Sequence, residues 1–355
     1  MARIAQIAPL GLPCPPQGYG GIERVVASLA DGLADAGHEV TLFAAEGSRS
    51  RARVAAQCLP LRERGGDIGA LSQVEEAAML DRLKRVADRF DVLHFHTEFF
   101  HYALFGDDPR VVTTLHWRVD ERDRRTLFAH FRDARVVCVS DAQRRMLPEG
   151  MGRAHVIHHG IEPGRYPPGG GEGGYLAFLG RLSDQKRPEW AIAVARALGM
   201  PLKLAGYVDH GNDGYFAREV APRLGDGVEF VGLVGEADKA DFLGRAAALV
   251  FPLDWPEPFG MAMIEAMACA TPVVAWRRGS VAEVVDDGVT GVVVDDVEGA
   301  VAGGRRALAL DRAGVRAGFE RRFRARRMVG DHLALYRAMG VRDAGEGATR
   351  REAPA

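Results

Sequence analysis

The stretch Glu257-Pro258-Phe259-Gly260-Met261-Ala262-Met263-Ile264-Glu265-Ala266-Met267-Ala268 holds two carboxylates with seven residues between them. From Gly260 to Ala270 the only strongly polar side chain is Glu265. The run has the length and composition of a buried helix, rich in Ala and Met, with Ile264 its only β-branched residue. Desolvating a charge costs several kcal/mol, so a carboxylate inside such a helix needs a polar partner. The flanks Ala248-Leu249-Val250-Phe251 and Pro272-Val273-Val274-Ala275 read as buried strands. A helix joining two parallel strands points its N-terminus at the strands' carboxyl edge, where α/β proteins bind ligands.

The same alternation extends outward in both directions. Towards the N-terminus, strands are expected at 4–8, 40–44, 91–95, 111–115 and 135–139, with helical segments between them. Ile22, Val25, Val26, Leu29 and Leu33 repeat at helical spacing, with Gly37 as the stop. Gly and Pro crowd into Tyr166-Pro167-Pro168-Gly169-Gly170-Gly171-Glu172-Gly173-Gly174, the composition of a flexible linker. After it come strands at 175–179, 202–205, 228–231, 248–251, 273–275 and 292–294. The expected organisation is a Rossmann-like domain at 1–165, a linker at 166–174, a second Rossmann-like domain at 175–315, a helix at 316–340 and a disordered tail at 341–355. Arg316, Arg321, Arg322, Arg324, Arg326 and Arg327 load that last helix with charge. This reads as a solvated face or, more sharply, as a patch for an anionic surface.

Composition narrows the class. The chain has 355 residues, more than one core comfortably holds. A net charge of -2 gives no field favouring nucleic acid. The four cysteines lack metal-binding spacing and read as free thiols. The first residues, Met1-Ala2-Arg3-Ile4-Ala5-Gln6, look like a strand rather than a signal peptide, and no apolar run reaches the ~20 residues of a membrane span. A cytoplasmic protein without a membrane span is expected, with peripheral contact through the Arg-rich helix as an open alternative.

If both halves are doubly wound, three sets of residues converge. Gly18-Tyr19-Gly20-Gly21, between the first strand and helix, lets a ligand approach the backbone at a helix N-terminus; a tight turn explains it equally well. Gly180-Arg181-Leu182-Ser183-Asp184-Gln185-Lys186 places two cations where they can clamp two phosphates, or forms an exposed basic turn. The third set is the opening run. Its helix N-terminus, around Phe259 to Met261, adds N–H donors. Glu265 would accept from hydroxyls, as carboxylates do from a ribose, and Glu257, outside the helix, can reach another part of the ligand.

Together these motifs resemble a retaining glycosyltransferase of the large family 4, whose members share the GT-B fold. The likeness runs from about Arg3 to Met339 and is carried by Gly20-Gly21-Ile22-Glu23-Arg24, His94-Phe95-His96, Thr114-Leu115-His116, Gly180-Arg181 with Lys186, and Glu257 through Ala268 with its two glutamates (an EX7E motif). It implies that Arg181 and Lys186 hold the diphosphate of a nucleotide-sugar donor, most often UDP-linked, and that Gly21 gives its N–H to the distal phosphate. Glu265 would bind the ribose, and Glu257 a hydroxyl of the transferred sugar. The N–H groups of Phe259 and Gly260 would orient that sugar, with His116 beside its reacting carbon. Leu233 and Val234 would face the base. The first domain would take the acceptor through loops 96–102 and 118–125, and the last helix would cross back onto it. The chain departs from the family at Trp117, where an Asp is common, and at Arg187 and Ala270, where a Gly is common.

No Asp-x-Asp triplet is present, so no metal or other cofactor is expected to bridge the diphosphate. The resemblance implies front-side transfer, in which the departing phosphate takes the acceptor's proton. Two other readings compete: another GT-B enzyme such as a non-hydrolysing sugar epimerase, and a catalytically silent nucleotide-sugar-binding protein.

Overall fold

A computed structural model describes residues 1–64, 68–208 and 211–341. Short β-branched and apolar runs form two parallel sheets. The first holds β1 (Arg3–Ile7), β2 (Glu39–Ala44), β3 (Arg53–Ala56), β4 (Val92–Phe95), β5 (Val111–Leu115), β6 (Val136–Cys138) and β7 (Ala154–Val156), in the order β3-β2-β1-β4-β5-β6-β7. The second holds β8 (Leu176–Leu179), β9 (Leu202–Ala205), β10 (Val228–Gly232), β11 (Ala248–Phe251), β12 (Val273–Trp276) and β13 (Gly291–Val294), in the order β10-β9-β8-β11-β12-β13. Each order reverses once, between β1 and β4 and between β8 and β11. A crevice opens at such switch points, beyond the strands' carboxyl ends. The expected fold class, two Rossmann-like domains, is what forms.

Five helices matter for the site: α1 (Gly21–Asp35), α2 (Glu236–Arg245), α3 (Met261–Ala268), α4 (Arg312–Arg322) and α5 (Ala325–Ala338). The apolar stripe of α1, with Val25, Val26, Leu29 and Leu33, packs into one core with Val40, Val92 and Val112 of the first sheet. Met328, Val329, Leu335 and Tyr336 of α5 complete that core, so the last helix does return to the first domain. Contact is close at Gly32, where a Cβ would meet Val329 Cγ2 at 2.5 Å.

The structure departs from the sequence expectations at several places. Strands β3 and β7 have no counterpart in the apolar pattern. Both are sheet edges with one neighbour each, and their residues stay partly exposed. The helix expected over 316–340 is two helices. The helix breaks at Phe323 and the chain is extended at Arg324, where Ile161 N–H donates to Phe323 O (2.9 Å) and Ala325 N–H to Ile161 O (2.9 Å). The Gly/Pro segment between the sheets is tied down rather than loose. Gly169 N–H bonds Cys269 O (2.9 Å), Gly171 N–H bonds Gly244 O (3.0 Å), and Arg312 Nε bonds Gly169 O (2.9 Å).

The arginines of the C-terminal region are largely internal ties, not a free cationic patch. Arg316 donates to Tyr166 O (2.7 Å) and pairs with Glu320, Arg322 pairs with Asp286 (2.5 Å), and Arg327 donates to His158 O and His159 O (2.7 and 2.8 Å). Arg321 pairs with Asp286 and Arg324 with Glu320. Among the described residues no helix is long and apolar enough to cross a membrane. The four cysteines are buried and free. Of the tail expected at 341–355, all but Val341 lies outside the described residues.

Candidate active site

Loops leaving the carboxyl ends of β1, β5, β8, β9, β10 and β11 wall a single cleft of about 280 Å³. The residues assigned from the sequence to the donor and its transferred sugar line it. Gly20 and Gly21 come from the first loop and His116 from the end of β5. Gly180, Arg181 and Lys186 follow β8, and Leu233 and Val234 follow β10. Glu257, Phe259, Gly260, Met261 and Glu265 come from the β11–α3 segment.

The two glycine caps have a shared geometry. Gly20 precedes α1 at φ 140° and Gly260 precedes α3 at φ 82°, both left-handed backbone that other residues avoid. Neither glycine has a side chain to cap the first turn of its helix, and a helix N-terminus left this way favours an anion. Ser280 steadies the second cap: its Oγ donates to Phe259 O (2.9 Å) and its N–H to Glu257 O (3.0 Å).

Lys186 and Glu257, assigned separate tasks from the sequence, are ion-paired. The ammonium also sits 5.0 Å from the Phe251 ring centre and 5.2 Å from that of Trp255. Burial pushes the Lys186 pKa down, and Glu257 opposes that shift. Arg181 lies 5.9 Å over the Trp255 ring and donates to Gln185 Oε1 (3.0 Å). Trp255 therefore forms the floor under both cations, a role the sequence did not suggest.

Glu265 has the partner its setting demanded. Its Oε1 accepts from Lys239 Nζ (2.8 Å) and Tyr166 OH (3.0 Å), and all three groups are buried. Glu236 extends the network to Lys239 (3.5 Å), to Tyr166 OH (3.3 Å) and to Arg24 of α1 (2.6 Å). Burial raises the Glu265 pKa, but the cations Lys239 and Arg24 and the bonds from Lys239 and Tyr166 bring it below the ordinary value, so the carboxylate stays charged. Sequence reading missed this set. Lys239 sits in the charged run Glu236-Ala237-Asp238-Lys239, which looks solvated, and Tyr166 opens the Gly/Pro stretch.

His116 Nε2 lies 2.9 Å from His96 Nδ1, and its ring stacks at 5.2 Å on His159. Its Nδ1 is buried with no hydrogen-bond partner among the described residues. Burial, with a small contribution from His332, lowers its pKa to about 3, so the ring is neutral. The loops expected to meet an acceptor touch each other: Arg124 pairs with Glu98 and lies 5.5 Å over Phe99. Trp117 lines the cleft beside His116. Arg187 and Ala270, where the family commonly has glycine, both adopt left-handed backbone (φ 44° and 61°).

Comparison with known proteins places the two halves. The model of Glycosyltransferase Family 4 matches residues 19–165, and that of Glycosyl transferases group 1 matches residues 173–309. The chain is a family 4-type glycosyltransferase. It is 28% identical over 334 residues to a phosphatidyl-myo-inositol mannosyltransferase of Mycolicibacterium smegmatis, covering 84% of this chain and 83% of the relative. It is 29% identical over 352 residues to a glycogen synthase of Mycobacterium tuberculosis, covering 83% and 84%. Among solved structures, AviGT4, a glycosyltransferase involved in avilamycin A biosynthesis, superposes with a TM-score of 0.74 at 28% identity, covering 96% of this chain and 99% of the other. This glycosyltransferase thus has the GT-B architecture, with its cleft between the two sheets.

Proposed function

We propose that this enzyme transfers a hexose-type sugar from a nucleotide-diphosphate donor, most plainly a UDP-sugar, to an acceptor hydroxyl with retention of configuration and without a metal. One observation carries the reading: Arg181 and Lys186, the carboxylates of Glu257 and Glu265, and two glycine-capped helix N-termini meet in one cleft. That set matches a diphosphate flanked by two sugars, one of them the ribose.

Arg181, Lys186, the N–H of Gly21 and the first N–H groups of α3 would take the diphosphate charge, which grows as the glycosidic bond breaks. Glu265 offers its Oε2 to the ribose hydroxyls, since both described hydrogen bonds to its carboxylate fall on Oε1. Diphosphate binding would draw Lys186 away from Glu257 and free that carboxylate to accept from the transferred sugar. Phe259 and Gly260 would orient the sugar, with His116 alongside it and the base against Leu233 and Val234. The acceptor hydroxyl then attacks from the face the diphosphate leaves. Its proton passes to the departing phosphate oxygen through an oxocarbenium-like state, with no protein nucleophile beneath the sugar. The names of the relatives span a phospholipid and a polysaccharide acceptor, so the acceptor is best sought among lipids, saccharides and natural products.

The test is a screen of nucleotide sugars read by release of nucleoside diphosphate in the presence of acceptor panels, with thermal shift as the binding control. Turnover of a nucleotide sugar without acceptor would indicate an epimerase. Binding without diphosphate release for every acceptor would indicate a silent binding protein.

A further inference from the structure

Gln6 is an amide near the carboxyl end of the interior strand β1, fully buried, and it does not line the cleft. Its two ends face different partners. Oε1 lies 2.8 Å from His96 Nε2, and Nε2 lies 3.1 Å from Tyr336 OH on α5. Tyr336 OH is in turn 2.6 Å from His94 Nδ1, and His94 Nε2 is 2.7 Å from Thr114 Oγ1. Beyond His96 the chain continues to His116 at the cleft wall. A string of hydrogen bonds thus runs from the C-terminal helix, through the centre of the first sheet, to the site.

Donor and acceptor chemistry gives the string a direction. An amide oxygen only accepts, so His96 Nε2 carries that ring's proton. A neutral imidazole has one N–H, which leaves His96 Nδ1 as an acceptor. Its partner, His116 Nε2, must therefore be the donor. The remaining nitrogen, His116 Nδ1, is a lone pair on a residue that lines the cleft, buried and without a partner among the described residues. Buried unsatisfied acceptors are rare enough to need an explanation, and a bound ligand supplies one. The opposite direction would invert each member of the string and leave an N–H at that nitrogen.

We propose that Gln6 is a positioning residue that, through His96, fixes His116 in the Nε2–H tautomer and so makes its Nδ1 an acceptor for a hydroxyl of the bound donor. Tyr336, by holding the amide nitrogen, sets the orientation of Gln6 from the far side. An acceptor at this point welcomes an O–H and repels a carboxylate, so the sugar presents a hydroxyl, not a uronate group, to His116. The ligand half of this inference rests on the donor-site reading above; the tautomer half needs no ligand.

The experiment combines two readouts on the full chain. Long-range ¹H–¹⁵N correlation of histidine-labelled protein, without ligand, reports which nitrogen of His116 is protonated. The expected result is Nε2–H in the native protein, and a mixture of both tautomers in Gln6→Met and, less completely, in Tyr336→Phe. Steady-state kinetics with the donor found by the screen should show kcat/KM falling at least tenfold in Gln6→Met and at least twofold in Tyr336→Phe. Affinity for UDP alone, the probe for the phosphate and ribose contacts, should stay within about twofold. A proton on Nδ1 in the native protein overturns the proposal, as does a kinetic loss with no change of tautomer, which would mark Gln6 as packing only. If Gln6→Met fails to fold, Tyr336→Phe decides by the same two readouts. If native protein shows the Nε2–H tautomer but binds no nucleotide, the donor-site reading fails while the relay stands.

Discussion

Removing the cation of the Lys239–Glu265 pair is the sharpest test of how this cleft is built. Lys239→Met keeps most of the side-chain volume and leaves a buried carboxylate whose remaining support is Tyr166 OH at 3.0 Å and the field of Arg24. Deleting one partner of a buried pair typically costs ~3–5 kcal/mol, because the other charge is left uncompensated. Two features hold the loss to the low end. Tyr166 still donates to Oε1, and Glu265 can escape by taking up a proton. Neutralising a carboxyl of ordinary pKa, about 4.3, at pH 7 costs roughly 3.7 kcal/mol, which caps the penalty. The expected loss is about 3 kcal/mol at pH 7. At pH 5 the cap falls to roughly 1 kcal/mol, so the deficit should shrink on acidification. Guanidinium unfolding followed by tryptophan fluorescence measures it, since Trp190, Trp255 and Trp276 all belong to the second domain. The double variant Lys239→Met/Glu265→Gln should recover more than half of the loss. A deficit below about 1 kcal/mol at pH 7, an equal deficit at both pH values, or a double variant no better than the single would refute the claim that Lys239 keeps Glu265 charged.

Arg181→Ala should lower turnover at least tenfold, about 1.4 kcal/mol of barrier, and near-normal kinetics would remove Arg181 from the diphosphate site. Activity should survive excess chelator; a loss restored by magnesium would overturn the metal-independent mechanism. Ala270 carries φ 61°, so Ala270→Gly should raise stability by about 1 kcal/mol in denaturant titration, whereas a destabilised variant would mean that its methyl packing outweighs the backbone strain. His101 and His116 have folded pKa values near 3, both lowered mainly by burial, against about 6.5 unfolded. The unfolded chain therefore binds protons first as pH drops below 6.5. Stability should be complete above that value and fall between pH 6.5 and 5 by up to about 1.4 kcal/mol per pH unit for each histidine. A flat profile across that window would contradict the burial of these rings.

The doubly wound plan was legible because interior parallel strands are buried on both faces and show as unbroken apolar runs. Ala248–Phe251 and Val273–Trp276 needed no other signal. The edge strands β3 and β7 lack that burial and so lack the run. The main wall of the site was legible for a related reason. Glycines, cations and a stranded glutamate at strand ends are costly unless they serve a ligand or each other. What could not be read was which of them serve each other. The pairing of Lys186 with Glu257 spans 71 positions, and that of Lys239 with Glu265 spans 26. Only the folded sheet order brings them together. Tyr166 was hidden because composition assigns a residue by its neighbours, and its neighbours are glycines and prolines.

The return of α5 has a practical meaning for anyone recombining enzymes of this kind. The first domain cannot be lifted out as residues 1–165, because Met328, Val329, Leu335 and Tyr336 fill its core from the other end of the chain. An isolated fragment would expose that apolar face, and Gln6 would lose the hydroxyl that orients it. A chimera that joins one parent's first domain to another's second domain should carry 1–165 and 325–341 from the same parent. The junction at Ile161 with Phe323 and Ala325, where the two passages of chain pair backbone to backbone, is the natural seam for both cuts.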